Sequence, residues 1–306
     1  MNLLTRTYKL SILRKIRESF NLSQERLGEE VNIDLKNIEK WEKSPKKITN
    51  NDLSSLAYYF GLSSEALKEA IIGNKADLST NKYHYTFSDK SSLDGWWGHI
   101  GIGVINQTKT QWFPITLNTA DRVSSILASY ESKGEWVVLD TLNNRTLVFE
   151  PSRLKHIWLL DESAEPPNSD WYVPDYFGKP GEFYKALEAF CTQKDGIDLY
   201  ENEEVSDYSK KDIDNFTEVH DLDHELVRDL LTQTHIHDIS GNVQSHLIEA
   251  DKLAHFLFHI QLETAAILDF SSNEEGYDLY IPSKNISLID MPKRFVDKSF
   301  REIYED

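Results

Sequence analysis

Residues 1–72 carry apolar side chains at helical spacing, in five short segments that are separated by polar residues. A helix buries residues three and four positions apart, and this period is clear from Ile12 and Ile16 onward. Ser23 and Asp34 precede the second and third segments, where their side chains are suited to accept hydrogen bonds from the free N–H groups of a helix start. The pattern predicts an all-α domain of five helices over residues 1–72.

The pattern changes after residue 72. Residues 73–82, GNKADLSTNK, show no apolar period and predict a linker. From residue 83 onward apolar residues alternate with others, as at Ile100, Ile102 and Val104, which is the period of a β-strand. The remainder of the chain is therefore predicted to be an α+β region.

An internal repeat divides this α+β region. Residues 117–161 contain LNTADRV, VLDTLNN, LVFEPS and IWLLD, and residues 247–290 contain LIEADKL, ILDFSSN, LYIPS and ISLID. Equivalent positions in the two copies keep a nearly constant separation along the chain, and the small differences fall at expected turns. We expect two duplicated strand-helix-β-hairpin units that resemble Sm- or SH3-like barrels, in modules at residues 83–165 and 226–306.

The segment between the two modules, residues 166–225, has a different composition. One short helix is predicted from residue 181 to 191, with Phe183 and Leu187 on one side. Residues 195–225 then contain 12 acidic residues against two lysines, a composition typical of a solvated surface. The alternative interpretation is a strip that binds a protein partner or imitates DNA.

The net charge of −18 argues against nucleic acid only if it is spread evenly. Phosphate contacts depend on the local field, which salt screens within about 8 Å under physiological conditions. Residues 1–72 hold 12 basic and 10 acidic residues, a balance of +2, whereas residues 73–306 hold 21 and 41, a balance of −20. The acidity of the chain therefore lies outside its first domain.

Several residues between positions 10 and 70 follow a spacing that is known from one family. They are Leu22-Ser23-Gln24, Leu27-Gly28, Val31, Ile33, Ile38, Trp41-Glu42, the basic Pro45-Lys46-Lys47, and Leu56 through Leu62. In this spacing the segment resembles the helix-turn-helix domain of the Xre/Cro family of lambda repressor-like proteins. Asn32 stands where that family often has glycine, and Ser44 stands where glycine commonly ends the third helix. The resemblance covers about a fifth of the chain.

The resemblance implies roles for individual residues, because the third helix of such a domain enters the major groove of double-stranded DNA. The residues that would read base edges, or reach a nearby phosphate, are Leu35, Lys36, Asn37 and Lys40. The residues that would hold phosphates are Ser23, Gln24, Lys46 and Lys47. Arg17 and Glu42 occupy the positions of a structural ion pair between the first and third helices. The alternative is that these lysines form an ordinary solvated face.

The remaining candidate chemistry is a group of histidines. Seven of the ten histidines fall between residues 220 and 259, and His255 and His259 are one helical turn apart, a spacing that suits a metal. Their neighbours in HFLFHI favour a packed helix instead. HExxH, Walker A, GxGxxG and GxSxG motifs are absent from the sequence. We therefore expect no metal, no cofactor, no catalytic residue and no enzymatic activity.

The cysteine content and the absence of membrane-spanning or signal-like patterns indicate the cellular compartment. A single cysteine, Cys191, allows no internal disulfide, and the sequence contains no run of 18 apolar residues and no signal-like N-terminal stretch. These features predict a cytoplasmic protein that does not cross a membrane.

Together these features predict a sequence-specific transcription regulator of the repressor type. Its C-terminal region would dimerise and receive a signal from a small-molecule effector or a protein partner. A homodimer is expected because one such domain reads few base pairs, so that two half-sites supply the affinity. The alternative is a protein-interaction module, such as an antitoxin or a phage-defence component, whose helix-turn-helix domain autoregulates its operon.

Overall fold

The chain folds into an N-terminal helical domain, a region of antiparallel sheets and a group of helices inserted between the two halves of that region. The computed structural model describes residues 11–19, 22–44, 48–60, 64–72, 86–87, 93–94, 97–130, 135–161, 163–165, 167, 170–171, 181–195, 205–261, 266–272 and 276–304. Within the described residues, no helix is both long enough and apolar enough to cross a bilayer.

The N-terminal domain contains the five predicted helices. They are α1 (Ile12–Ser19), α2 (Gln24–Val31), α3 (Leu35–Lys43), α4 (Asn50–Phe60) and α5 (Ser64–Ile72). Local signals define their starts, since Ser23 accepts a hydrogen bond from the backbone N–H of Arg26 and Asp34 accepts one from that of Lys36. The helices enclose a core of Leu13, Ile16, Leu27, Val31, Ile33, Ile38, Trp41, Leu53, Leu56, Ala57, Phe60, Leu67 and Ile71.

The remainder of the chain is an α+β region, as predicted. Its strands are β1 (Thr86–Phe87), β2 (Leu93–Asp94), β3 (Gly98–Val104), β4 (Gln111–Ile115), β5 (Val137–Asp140), β6 (Arg145–Phe149), β7 (Leu154–Asp161), β8 (Gln233–Asp238), β9 (Val243–Leu247), β10 (Ile267–Asp269), β11 (Tyr280–Pro282) and β12 (Ile286–Pro292). Its helices are α6 (Leu117–Ser129), α7 (Gly181–Asp195), α8 (Asp207–Val219), α9 (His224–Thr232), α10 (Ala250–Gln261) and α11 (Lys293–Tyr304).

Two larger sheets and two hairpins organise these strands, and all of the described pairings are antiparallel. One sheet has the order β4-β3-β7 and the other has the order β5-β6-β12-β8-β9, while β1-β2 and β10-β11 pair separately. The two larger sheets share one core, in which Ile100 and Ile102 of β3 join Leu147 and Phe149 of β6. A second core covers the other face of the five-stranded sheet, and it includes side chains of α10 and α11.

The predicted Sm- or SH3-like barrels are not found in the described part of the chain. Strand β6 pairs with β5 of its own segment on one side and with β12 of the other segment on the other side, with Val148 opposite Ile289 and Leu147 opposite Asp290. This pairing merges strands from both segments into one open sheet. In a closed barrel all of the strands of one segment would pair with one another. Here a strand of each segment pairs with a strand of the other segment instead.

The order of elements nevertheless runs in parallel in the two segments. Each has two paired strands, a helix, two further paired strands, a 3-10 turn and a final strand. In each, the final strand returns to pair with the first one, β7 with β3 and β12 with β8. This order is what a duplication would produce, and the duplication itself stays a prediction.

The acidic segment contains more helix than we expected. Besides α7, residues 207–219 and 224–232 form α8 and α9. Ile213 and Phe216 of α8 pack with Leu187 of α7 and Leu231 of α9 in a core of their own. The predicted short helix is α7, and α8 and α9 were not predicted because acidic residues outnumber the buried apolar ones in their sequences.

Candidate nucleic-acid interface

The turn between α2 and α3 sets the angle at which α3 leaves the domain. Asn32 adopts the left-handed conformation, with φ 54° and ψ 45°, at the end of α2. The backbone N–H of Ile33 then donates to the carbonyl of Gly28 at 2.8 Å. A Cβ atom on Gly28 would lie 2.6 Å from the Ile33 carbonyl oxygen, which is backbone and has little room to move. A larger residue at position 28 would therefore force this turn to shift.

A buried ion pair links α1 to α3. Arg17 and Glu42 are 7% and 9% exposed, and Arg17 Nε lies 2.5 Å from Glu42 Oε1. A second contact of 3.1 Å, from Arg17 Nη2 to Glu42 Oε2, makes the pair bidentate. The pKa of Arg17 is raised, chiefly by its hydrogen bond with Glu42. The structure thus brings together the two residues that the sequence analysis assigned to an ion pair.

Gln24 also belongs to this buried network. Its Nε2 atom donates to Glu42 Oε2 at 2.8 Å, so its side-chain amide is directed into the protein. We had expected this amide to hold a phosphate. In the conformation observed, the backbone N–H at the start of α2 is the group of Gln24 that remains suited to that role.

The start of α2 stabilises negative charge. Ser23 caps the helix, and its Oγ accepts from the backbone N–H of Arg26 at 3.0 Å. Hydrogen bonds from its own backbone N–H and from Ser23 lower the pKa of Glu25, whose side chain is solvent-exposed. A DNA phosphate at this helix start would occupy the same favourable field, and the exposed Glu25 carboxylate would have to move aside.

The outer face of α3 carries the residues that were predicted to meet DNA. Lys36, Asn37 and Lys40 are exposed and Leu35 is half-buried. On the opposite side of the helix, Ile38 and Trp41 are packed in the domain core. Neither Lys36 nor Lys40 forms an ion pair with another described residue. Both ammonium groups are therefore available to an external anion.

Two of the predicted phosphate-binding residues, Lys46 and Lys47, lie outside the described residues. The exposed Lys43 adds a further basic residue at the end of α3. Lys43 was not among the predicted DNA-binding residues. Its place in the last turn also suits a cation, since the negative end of the helix dipole lies there.

The helical domain rests on the acidic helices through α4, a contact that the sequence did not indicate. The hydroxyl of Tyr58 donates to the carboxylate of Asp212 on α8. Its ring packs edge-on against Tyr208 at a centroid distance of 5.7 Å. Burial and the neighbouring Asp212 raise the pKa of Tyr58. This contact is made by α4, so the outer face of α3 stays exposed while the acidic region is docked.

The two histidines that the sequence analysis considered as weak metal candidates lie on α10. His255 and His259 are both exposed on α10. In the part of the chain that the structure describes, no group of three or more histidine, cysteine, aspartate or glutamate side chains is arranged to hold a metal ion.

Comparison with known proteins agrees with this geometry. The helix-turn-helix family model matches residues 13–67, which span α1 to the first part of α5. No curated protein and no solved structure matches the chain. Residues 13–67 are therefore a helix-turn-helix domain of the Xre or lambda repressor-like type, and the rest of the chain has no family match.

Proposed function

We propose, from the helix-turn-helix domain at residues 13–67, that the protein is a sequence-specific transcription regulator that reads DNA through α3. The observation that supports this proposal most strongly is the outer face of α3, where Lys36, Asn37 and Lys40 are exposed while the buried Arg17–Glu42 pair holds the helix in place. A helix presented in this way fits the major groove of B-form DNA, about 12 Å wide.

Each side chain on α3 has a defined task in this proposal. Lys36 and Lys40 donate to guanine O6 and N7, and Asn37 donates to adenine or to a phosphate. Leu35 packs on a thymine methyl group. The start of α2, with Ser23 and the backbone N–H of Gln24, holds one phosphate, and the basic turn at Lys46 and Lys47 holds another.

The charge of the two regions shapes how the protein binds. Residues 1–72 have a balance of +2, so a single copy neutralises few phosphates and its non-specific affinity is low. The rest of the chain, with a balance of −20, repels DNA wherever it comes close. Binding is therefore limited to orientations in which α3 meets the groove, and two copies on two half-sites supply the affinity.

The α+β region is proposed to control this dimer. It has its own cores and it touches the helix-turn-helix domain through Tyr58 and Asp212. A signal that changes the packing of α8 would alter the angle between the DNA-reading domain and the body. The signal itself, a small molecule or a protein, would act through that contact.

The experiment is a footprint of the full-length protein on the DNA upstream of its own gene, followed by affinity measurements with two lysine variants. Lys36→Ala removes a proposed base contact, and we expect it to weaken binding to the footprinted site by about 10- to 100-fold. Lys68→Ala removes the same charge from an exposed position on α5 and serves as the matched control, with little expected effect. The proposal fails if no footprint forms at low salt, or if both variants weaken binding equally.

A further inference from the structure

Strand β9 is an open edge of the five-stranded sheet. It pairs with β8 on one side, and among the described residues no strand pairs with its other side. Val243, Gln244 and Ser245 are exposed, whereas the central strand β12 of the same sheet is buried throughout. An unpaired edge presents a row of free backbone N–H and C=O groups, which are a template for another strand.

The other edges of the two larger sheets carry residues that discourage such pairing. Strand β4 contains Pro114, which has no N–H to donate, and β5 ends in the charged Asp140. Strand β7 carries Lys155 and Asp161. Proline and charged side chains are the usual means by which proteins protect an edge. Strand β9, with the sequence VQSHL, has neither proline nor an acidic or basic residue at neutral pH apart from one histidine.

The free backbone groups of β9 belong to its odd-numbered residues. The backbone N–H of Asp238 donates to the carbonyl of Asn242 at 3.0 Å, which makes this a hydrogen-bonded pair of the β8–β9 ladder. Hydrogen-bonded pairs alternate with non-bonded pairs in an antiparallel ladder, so Gln244 and His246 also point their backbone groups at β8. Val243, Ser245 and Leu247 consequently point theirs outward.

The outward backbone N–H and C=O groups of one β9 strand can pair with those of a second, antiparallel copy of β9. If two copies of β9 pair antiparallel about a twofold axis at Ser245, then Ser245 faces its own counterpart and Val243 faces Leu247. All of these are hydrogen-bonded positions, so the two strands exchange about six backbone hydrogen bonds. Val243 and Leu247 have the same parity and therefore meet on the same face of the sheet, as an apolar cross-strand pair.

The local charge permits a second copy at this edge. The chain carries a net charge of −18, so most faces of two copies repel one another. From Ile239 to Ile248 there is no aspartate, glutamate, lysine or arginine, and two copies can approach there at low electrostatic cost. Val243, at the start of β9, is 49% exposed, so pairing also removes apolar surface from water.

We propose that β9 is the dimer contact, and that two copies of the protein join their five-stranded sheets edge to edge about a twofold axis at Ser245. This inference rests on the proposed function, because reading two half-sites requires two copies. A contact between two such short strands is smaller than a standard stable interface of about 1,200–2,000 Å². The dimer is therefore concentration-dependent in solution and is strengthened when both copies bind one DNA molecule.

Cysteine cross-linking tests the position of the axis in the full-length protein. Ser245→Cys places two thiols opposite each other, with Cα atoms about 5.5 Å apart. Ser240→Cys, in the same hairpin and also solvent-exposed, is the matched control, because its two copies would be about 30 Å apart. The native Cys191 is 1% exposed and does not interfere. We expect a short bifunctional thiol reagent to link Ser245→Cys into a covalent dimer and to leave Ser240→Cys monomeric.

A proline substitution tests the backbone pairing. Ser245→Pro removes an outward N–H without removing a bond to β8, whereas Ser245→Ala keeps that N–H and loses only the contact of 2.9 Å between Ser245 Oγ and His235 Nδ1. We expect the proline variant to sediment as a monomer and to bind a two-half-site DNA about 100-fold more weakly, with single half-site binding unchanged. The alanine variant should behave like the wild type.

The outcomes separate this inference from the proposed function. Equal cross-linking of the two cysteine variants, or none, overturns the β9 contact, as does a proline variant that stays dimeric. A wild-type protein that stays monomeric even on a two-half-site DNA overturns it too. In all of these cases a footprint by the wild type would leave the proposed function standing. If the proline variant fails to fold by circular dichroism, the cysteine pair decides alone.

Discussion

The helix-turn-helix domain and the α+β region each contain a buried arginine–carboxylate pair, and the two pairs span very different distances in the sequence. Arg17 and Glu42 are 25 residues apart and join two helices of one small domain. Arg145 and Asp290 are 145 residues apart and join β6 to β12, with a contact of 2.5 Å. Arg145 also donates to the backbone carbonyls of Asp290 and Gln233, both at 2.8 Å.

The different sequence separations of the two ion pairs indicate that the two regions fold through different kinds of contact. The Arg17–Glu42 pair forms within a segment whose helices are specified by local caps and spacing. The Arg145–Asp290 pair forms only after strands from both halves of the α+β region have met, which requires long-range contacts. We therefore expect the two regions to differ in which substitutions and which pH destabilise them.

The largest effect is expected from the long-range pair. Arg145→Leu leaves the Asp290 carboxylate buried without its partner and removes hydrogen bonds to the carbonyls of Leu230, Gln233 and Asp290. This change should lower the free energy of unfolding of the α+β region by about 3–5 kcal/mol. Urea denaturation of the full-length protein, with hydrogen exchange to locate the loss, measures it. The double variant Arg145→Leu/Asp290→Leu is the control, and it should be less destabilised than the single variant. A loss that spread equally into residues 11–72 would contradict the comparison.

The second largest effect is expected from acid, which should lower the stability of the α+β region more than that of the helix-turn-helix domain. Burial lowers the pKa of both His99 and His237 to about 4, whereas residues 1–72 contain no histidine. The pKa of an unfolded histidine is about 6.5, so between these values the unfolded state binds protons that the folded state does not. The stability contributed by the two neutral rings is complete above about pH 6.5 and falls as the pH falls toward 4, by on the order of 3 kcal/mol for each ring.

Hydrogen exchange of the full-length protein at pH 7.0, 6.0 and 5.0 checks this acid dependence, after correction for the intrinsic exchange rate. The α+β region should lose protection over this range while residues 11–72 keep theirs. His237→Gln should reduce the dependence, because Gln107 Nε2, which lies 3.0 Å from the ring Nδ1, can bond to an amide instead. An equal loss in both regions would show that the histidines are not its cause.

The two regions also differed in how much the sequence could predict. The five helices of the first domain follow from short-range features, such as the capping residues Ser23 and Asp34 and the left-handed Asn32, and the structure contains all five. The position of the Gln24 amide was not predictable, because nothing in the spacing shows that Glu42 accepts a hydrogen bond from it. A local motif places a residue on a helix but does not determine its partner.

In the α+β region, long-range strand pairing limited how much of the fold could be predicted from the sequence. Strand β3 followed from alternation, but β6 pairs with β12, which lies in the other half of the region, and no local signal marks that partner. Helices α8 and α9 were missed because acidic residues outnumber the few inward ones, Ile213, Phe216 and Val227 among them. Sequence patterns predict helices and strands well where residues close in the sequence determine the structure. They predict the structure poorly where contacts between distant segments determine it.

A smaller effect should come from two glycines, one in each region. Gly28→Ala forces a Cβ atom to within 2.6 Å of the Ile33 carbonyl oxygen, so the α2–α3 turn must shift, at a cost of about 2 kcal/mol. Gly276 has a positive φ of 72° and open space around it, so Gly276→Ala should cost only about 1 kcal/mol from backbone strain. Urea denaturation compares the two, and the loss of DNA binding should be confined to Gly28→Ala. A larger loss from Gly276→Ala would contradict this account of the turn.

The most direct test of the central claim is the base preference of the wild type and of Lys36→Ala, measured by selection from a pool of randomised DNA around the footprinted site. If α3 reads the major groove, the variant should lose discrimination at one base position in each half-site, worth about 1–3 kcal/mol, and keep its preference elsewhere. The exposed Lys68→Ala variant should retain the wild-type preference at every position. An unchanged preference in Lys36→Ala, with affinity lowered uniformly across all sequences, would contradict the placement of α3 in the groove.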